Sequence, residues 1–252
     1  MGRTFPVSLI AILRRDGHLS AAFVHRPAIS RVKPALLVFA LVCLGACNPA
    51  VTAPVVVLAT LNSGNAQTAT VTQALAAPLI VHLATATGLS VGGGIVTWAI
   101  ASGGGSLSAP TSISDSLGNA RVTYTAGTVA GTVTINAGYS TTSDIAFTAT
   151  VVSGTPATIG IVSGDLQSGP INTTLLLPLV VQVNDRYGNP SVGAPIVWFM
   201  VGGGTLSTTN TATDGTGRAR VTVATGATAG ARTISASSVN IGAANFSAII
   251  TN

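Results

Sequence analysis

The chain is 252 residues long, room for about two domains of ordinary size, yet only 7% of it is charged and it contains no glutamate. Six of its eleven basic residues precede position 34, and from Cys47 onward five arginines stand against five aspartates. The formal charge of +5 therefore belongs to the N-terminal segment. The remainder has no basic stripe to neutralise phosphates, which excludes nucleic-acid binding.

The chain begins with an unusual stretch. Arg14-Arg15 hints at twin-arginine export, but Asp16-Gly17-His18 stands where an apolar run should follow, and a valine-coded start at Val32 gives a tidier leader. Arg31 and Lys33 precede ten apolar residues at 34–43, which end in Leu44-Gly45-Ala46-Cys47. A basic segment, a short apolar core and small residues before a break make a secretory signal, short for a bilayer span. Two other readings stay open: an ordinary signal peptide whose cysteines are merely small residues, and a retained membrane anchor. Removal of the leader with Cys43 leaves Cys47 without a disulfide partner, so the folds downstream hold by packing.

Residues 48–54 read as a linker. Strand signals then run to the C-terminus as alternating apolar and polar residues between Gly, Pro, Asn and Ser clusters. They run twice. Ile95-Val96-Thr97-Trp98, Gly103-Gly104-Gly105-Ser106-Leu107, Asp115, Gly118 and Ala120-Arg121-Val122-Thr123 return as Ile196-Val197-Trp198, Gly202-Gly203-Gly204-Thr205-Leu206, Asp214, Gly217 and Ala219-Arg220-Val221-Thr222. Side chains alternate across a sheet, so positions apolar in both copies mark the inward face. That set is Leu79, Val81, Leu83 with Leu179, Val181, Val183; Val96, Trp98, Ile100 with Ile196, Trp198, Met200; Ala120, Val122, Tyr124 with Ala219, Val221, Val223; Ile135, Ala137 with Ile234, Ala236; and Phe147, Ala149, Val151 with Phe246, Ala248, Ile250. His82 and its counterpart Gln182 fall on the outward face. No sustained helical period appears beyond the signal. The chain reads as all-β, two tandem immunoglobulin-like β-sandwiches at 55–152 and 155–252 behind a leader at 1–47. The join, Ser153-Gly154-Thr155-Pro156, is too short for free tumbling and predicts a semi-stiff rod.

Two resemblances follow from these residues. Leu44-Gly45-Ala46-Cys47 resembles the bacterial lipobox, which implies lipidation of Cys47 and a membrane anchor. Asp185-Arg186-Tyr187-Gly188-Asn189-Pro190, Val197-Trp198, the glycine triplet and Thr213-Asp214-Gly215-Thr216-Gly217-Arg218-Ala219 resemble the bacterial Ig-like domain of the invasin/intimin type, group 1. The first copy departs from that pattern at Thr85-Ala86-Thr87-Gly88-Leu89-Ser90. The resemblance implies modules stacked as stalks in surface proteins, a cell-envelope location at the outer membrane or cell surface, and a protein or glycan as partner. No binding tip is expected beside the two copies.

A catalyst is hard to assemble here. His82 is the one histidine after the signal, so neither a zinc site nor a Ser-His-Asp arrangement can be built within one chain. The glycine triplets lack the Gly-Lys-Ser/Thr ending of a phosphate loop and read as turns. Calcium would need Asp165, Asp185 and Asp214 to converge from separate loops. No catalytic, cofactor or metal residue is expected, and no cofactor. Arg218, Arg220 and Arg232 read either as three solubilising charges or as a basic face. Phe199 stands where the first copy has Ala99, on the outward side of its strand, and is the candidate contact residue. The expected function is a non-catalytic, lipid-anchored envelope protein serving as a stalk or interaction module; the alternative is an adhesin-like module that binds a glycan or protein through loops at one end.

Overall fold

A computed structural model describes residues 56–140 and 144–252; the leader, Cys47 and the linker lie outside them. The first copy lays down β1 (Val56–Ser63), β2 (Gln67–Thr70), β3 (Leu79–Thr85), β4 (Ile95–Ser102), β5 (Ser106–Leu107), β6 (Thr111–Ile113), β7 (Asn119–Val122), β8 (Tyr124–Thr125), β9 (Gly131–Gly138) and β10 (Ile145–Val152). The second repeats them as β11 (Pro156–Ser163), β12 (Gln167–Pro170), β13 (Leu179–Asp185), β14 (Pro195–Val201), β15 (Thr205–Leu206), β16 (Asn210–Ala212), β17 (Arg218–Val221), β18 (Val223–Ala224), β19 (Gly230–Ser238) and β20 (Gly242–Thr251). No helix occurs among the described residues.

Each copy is two facing sheets. In the first, β1-β3-β7 opposes β2-β10-β9-β4-β6; in the second, β11-β13-β17 opposes β12-β20-β19-β14-β16. A two-stranded ladder, β5-β8 or β15-β18, closes one end. The inward sets expected from the alternation are the observed cores. Ile100 and Met200 are only partly buried, because each is the last inward residue before its glycine triplet. The two indoles sit between the sheets. Trp98 lies 5.8 Å from Phe147 and Trp198 lies 6.1 Å from Phe246, ring centre to ring centre. Each indole N–H donates to a hydroxyl on the neighbouring edge strand, Ser112 or Thr211, at 2.8 Å. A buried donor without such a partner would cost about 1–3 kcal/mol.

The first strand of each copy changes sheets part-way, which leaves peptide groups stranded at the crossing. One glutamine solves this twice. The Gln67 Nε2 donates to the carbonyls of Gly64 and Ala77 while its Oε1 accepts the Ala77 N–H. Gln167 makes the same three bonds with Gly164 and Leu177. The turn before each glutamine must be glycine: a Cβ at Gly64 would lie 2.2 Å from the Pro78 carbonyl oxygen, and Gly164 meets Pro178 at 2.3 Å. Both have positive φ.

Candidate functional site

The period of β13 buries Leu179, Val181 and Val183, and the next inward position is Asp185. The alternation thus drives a carboxylate to the end of the core, where it is 2% exposed. Its Oδ1 accepts the N–H groups of Tyr187 and Asn189 at 2.8 and 2.9 Å, which closes the turn through Gly188. Its Oδ2 accepts the N–H of Gly154, in the segment joining the copies, and the Asn189 side-chain amide, both at 2.9 Å.

Asn189 carries the connection into the first copy. Its Nδ2 also donates to the Thr128 carbonyl, and its Oδ1 accepts the Ala130 N–H, each at 2.8 Å. Both groups lie on the loop between β8 and β9. The amide is 7% exposed and all of its polar atoms are engaged. A groove of about 530 Å³ runs beside this tie, lined by Val151, Val152, Pro156, Pro190 and Val192 among others. Outside it, the Arg186 guanidinium lies 4.5 Å over the Tyr187 ring, a cation–π contact on the surface.

The first copy builds the same turn with other atoms. Thr85 Oγ1 accepts the Leu89 N–H, and Ala84 bridges Ser90 as Asn184 bridges Pro190. A threonine and an exposed leucine offer nothing to cross a junction.

Burial pushes the Asp185 carboxyl upward, but its bonds from the Asn189 amide and from the N–H groups of Gly154, Asn189 and Tyr187 outweigh that and hold it below the ordinary carboxylate range. A depressed acid contributes stability above its unfolded pKa of about 3.9, and the contribution is lost as pH falls through the folded value. The thermal midpoint is therefore expected to fall below about pH 4, more steeply in the native chain than in an Asp185→Asn variant. Equal acid slopes in calorimetry would show that the carboxylate does not act this way. Asp115 and Asp214 make similar local turns. The Asn119 N–H lowers the first most and the Thr216 hydroxyl the second.

Phe199 faces outward, 65% exposed, between Val197 and Val201 in a row on β14. Asp165 caps its own turn by accepting the N–H groups of Leu166 and Ser247. Asp165, Asp185 and Asp214 do not converge, and among the described residues no group of three metal-ligating side chains forms. His82 sits at the sheet surface with Nε2 3.0 Å from Ser90 Oγ.

Arg232 corrects the sequence reading. It belongs neither to a basic face nor to the exposed charges, being 3% exposed in the inward row of β19, where the first copy has Val133. Its guanidinium donates to the Thr228 carbonyl and hydroxyl and to the Ala231 carbonyl, while Nε stays buried without a partner. It braces from within the loop whose first-copy counterpart is held from outside by Asn189.

No protein-family model matches the chain, and no curated protein does. Solved structures do. The Escherichia coli adhesin FdeC superposes with a TM-score of 0.57 at 18% identity, covering 77% of this chain and 62% of that one. InvD of Yersinia pseudotuberculosis gives 0.51 at 17% identity, over 74% and 57%. This chain thus spans less than two thirds of either. With its paired sheets, buried indoles and duplicated turns, the described chain is a tandem of immunoglobulin-like β-sandwiches that shares its fold with FdeC and InvD.

Proposed function

We propose that this chain is a non-catalytic envelope protein, lipid-anchored at Cys47, whose two sandwiches act as a semi-stiff stalk or interaction module at the outer membrane or cell surface. The observation that carries the reading is the Asp185–Asn189 tie. Among the described residues only the second copy has it, and it commits a buried carboxylate and a buried amide to holding the first. A chain selected only for two independent sandwiches has no use for such bonds. The fold it shares with FdeC supports the same reading, as does the lipobox-like Leu44-Gly45-Ala46-Cys47.

The test has two parts. Mass spectrometry of the mature protein should find an N-terminal Cys47 carrying a diacylglycerol and an amide-linked acyl chain, and Cys47→Ser should release the protein from the membrane fraction. Acyl chains add about 0.8 kcal/mol per buried CH₂, so loss of the lipid removes the anchor outright. An unmodified N-terminus elsewhere refutes the anchor, whereas the stalk stands or falls with the junction.

One observation favours the adhesin-like alternative. The β14 row Val197, Phe199, Val201 is exposed where the first copy has Thr97, Ala99 and Ala101. Its cross-strand neighbours on β19 are Ser237, Ser235 and Thr233, which leaves the face uncharged. Phe199→Ser should change stability by less than about 0.5 kcal/mol and abolish attachment to host or bacterial surfaces if this face binds. Full attachment by the variant rejects Phe199 as a contact.

A further inference from the structure

The two copies provide an internal control for surface relief. At the end of each sandwich three segments lie side by side across the short ladder. In the first copy the residues in register are Ala74, Thr125 and Ser106. In the second they are Thr174, Ala224 and Thr205. The first copy has its larger side chain in the middle, and the second has its smallest there between two threonines. A ridge has become a trough.

That trough is a cleft of about 510 Å³ lined by Asn172, Thr174, Thr205 and Ala224 with Gly204 and Gly226 at one end. Its volume is in the usual range for small-molecule sites, about 300–1,000 Å³. No charged residue lines it. The Asn172 amide and the hydroxyls of Thr174 and Thr205 make no hydrogen bond to any described residue, so each remains free to donate and to accept. Beyond the lining, Leu176 is almost fully exposed where the first copy has Ala76.

From this relief we infer that the trough on the second sandwich binds a neutral carbohydrate chain. Sugar hydroxyls both donate and accept, as do the groups of the walls. A charged ligand would find no counter-charge for a charge-assisted bond. An apolar ligand would bury the wall hydroxyls without partners. A peptide is usually taken along an open strand edge, but here the middle segment is already flanked on both sides. The inference rests on the interaction-module reading and is independent of the tie at the junction.

Saturation-transfer NMR on the full chain tests it with maltotriose, cellotriose and triacetylchitotriose as neutral probes and sialyllactose as the charged one. At least one neutral probe should show saturation. Restoring the first-copy relief with Thr174→Ala and Ala224→Thr should weaken its binding at least about tenfold with an unchanged thermal midpoint. Absence of saturation by all three neutral probes, binding only of sialyllactose, or binding that survives the double variant overturns the assignment. If the trough fails while small-angle scattering still shows an ordered pair of sandwiches, the stalk reading is untouched.

Discussion

Truncating Trp198 to alanine is expected to lower the stability of the second sandwich by about 3–5 kcal/mol, as for large aromatics removed from packed cores. The indole is 2% exposed, fills the space between the sheets beside Phe246, and satisfies the Thr211 hydroxyl through Nε1. Alanine leaves a void and an orphaned hydroxyl together. Against a typical domain stability of about 5–15 kcal/mol, that is a large fraction. At about 4–8 °C per kcal/mol for a domain of this size, the second sandwich should melt at least about 12 °C earlier. The chain has two tryptophans, so in this variant emission comes from Trp98 alone and reports the first sandwich. Trp98 emission should stay blue-shifted through the early calorimetric transition and red-shift only in the later one. A Trp198→Phe control keeps a ring beside Phe246 but loses the Nε1 bond and part of the indole volume, and should cost less than the alanine variant. A drop of less than about 2 °C in Trp198→Ala would be incompatible with a packed indole.

Much of the fold was legible in the sequence because the chain states it twice. A strand's alternation read in one copy is ambiguous wherever alanine or threonine sits in it; in two copies, the positions apolar both times separate cleanly. That is why the inward residues of Leu79 to Leu83 and Leu179 to Val183 stand out as core. Arg232 is deceptive in the sequence for a related reason. Composition groups it with Arg218 and Arg220, whereas its parity with Ile234 and Ala236 on β19 points inward. The role of Asn189 had a signal too, since the second copy has Asp and Asn where the first has Thr and Leu. What was missing was the partner: Thr128 and Ala130 contribute backbone groups, which leave no trace in residue identity. The trough was equally silent, because Thr174, Ala224 and Thr205 come from three separated segments whose register exists only in the folded ladder.

Removing the amide at the junction is expected to free the two sandwiches from one another without unfolding either. Asn189→Ala deletes the bonds to the Thr128 carbonyl, the Ala130 N–H and Asp185 Oδ2 in one step. If the junction stayed closed, the stranded groups would cost about 1–3 kcal/mol each. Opening the junction lets water satisfy them, so the lower free-energy response is motion between the copies, with the thermal midpoints of the sandwiches nearly unchanged. Residual dipolar couplings should then fit one alignment tensor in the native chain and two different tensors in the variant, and small-angle scattering should show a broader distribution of maximum dimensions. Asp185→Asn should loosen the junction by another route, because an amide nitrogen in place of Oδ2 would face the donors of Gly154 and Asn189. The two substitutions act on one network, so a double-mutant cycle on the open–closed equilibrium of the junction should give a coupling of about 0.5–3 kcal/mol rather than additivity. Leu89 in the first copy, whose described turn bridges no neighbour, is the control. Leu89→Ala should leave the single tensor intact, and a single tensor surviving in Asn189→Ala would mean that something other than this amide holds the copies in line.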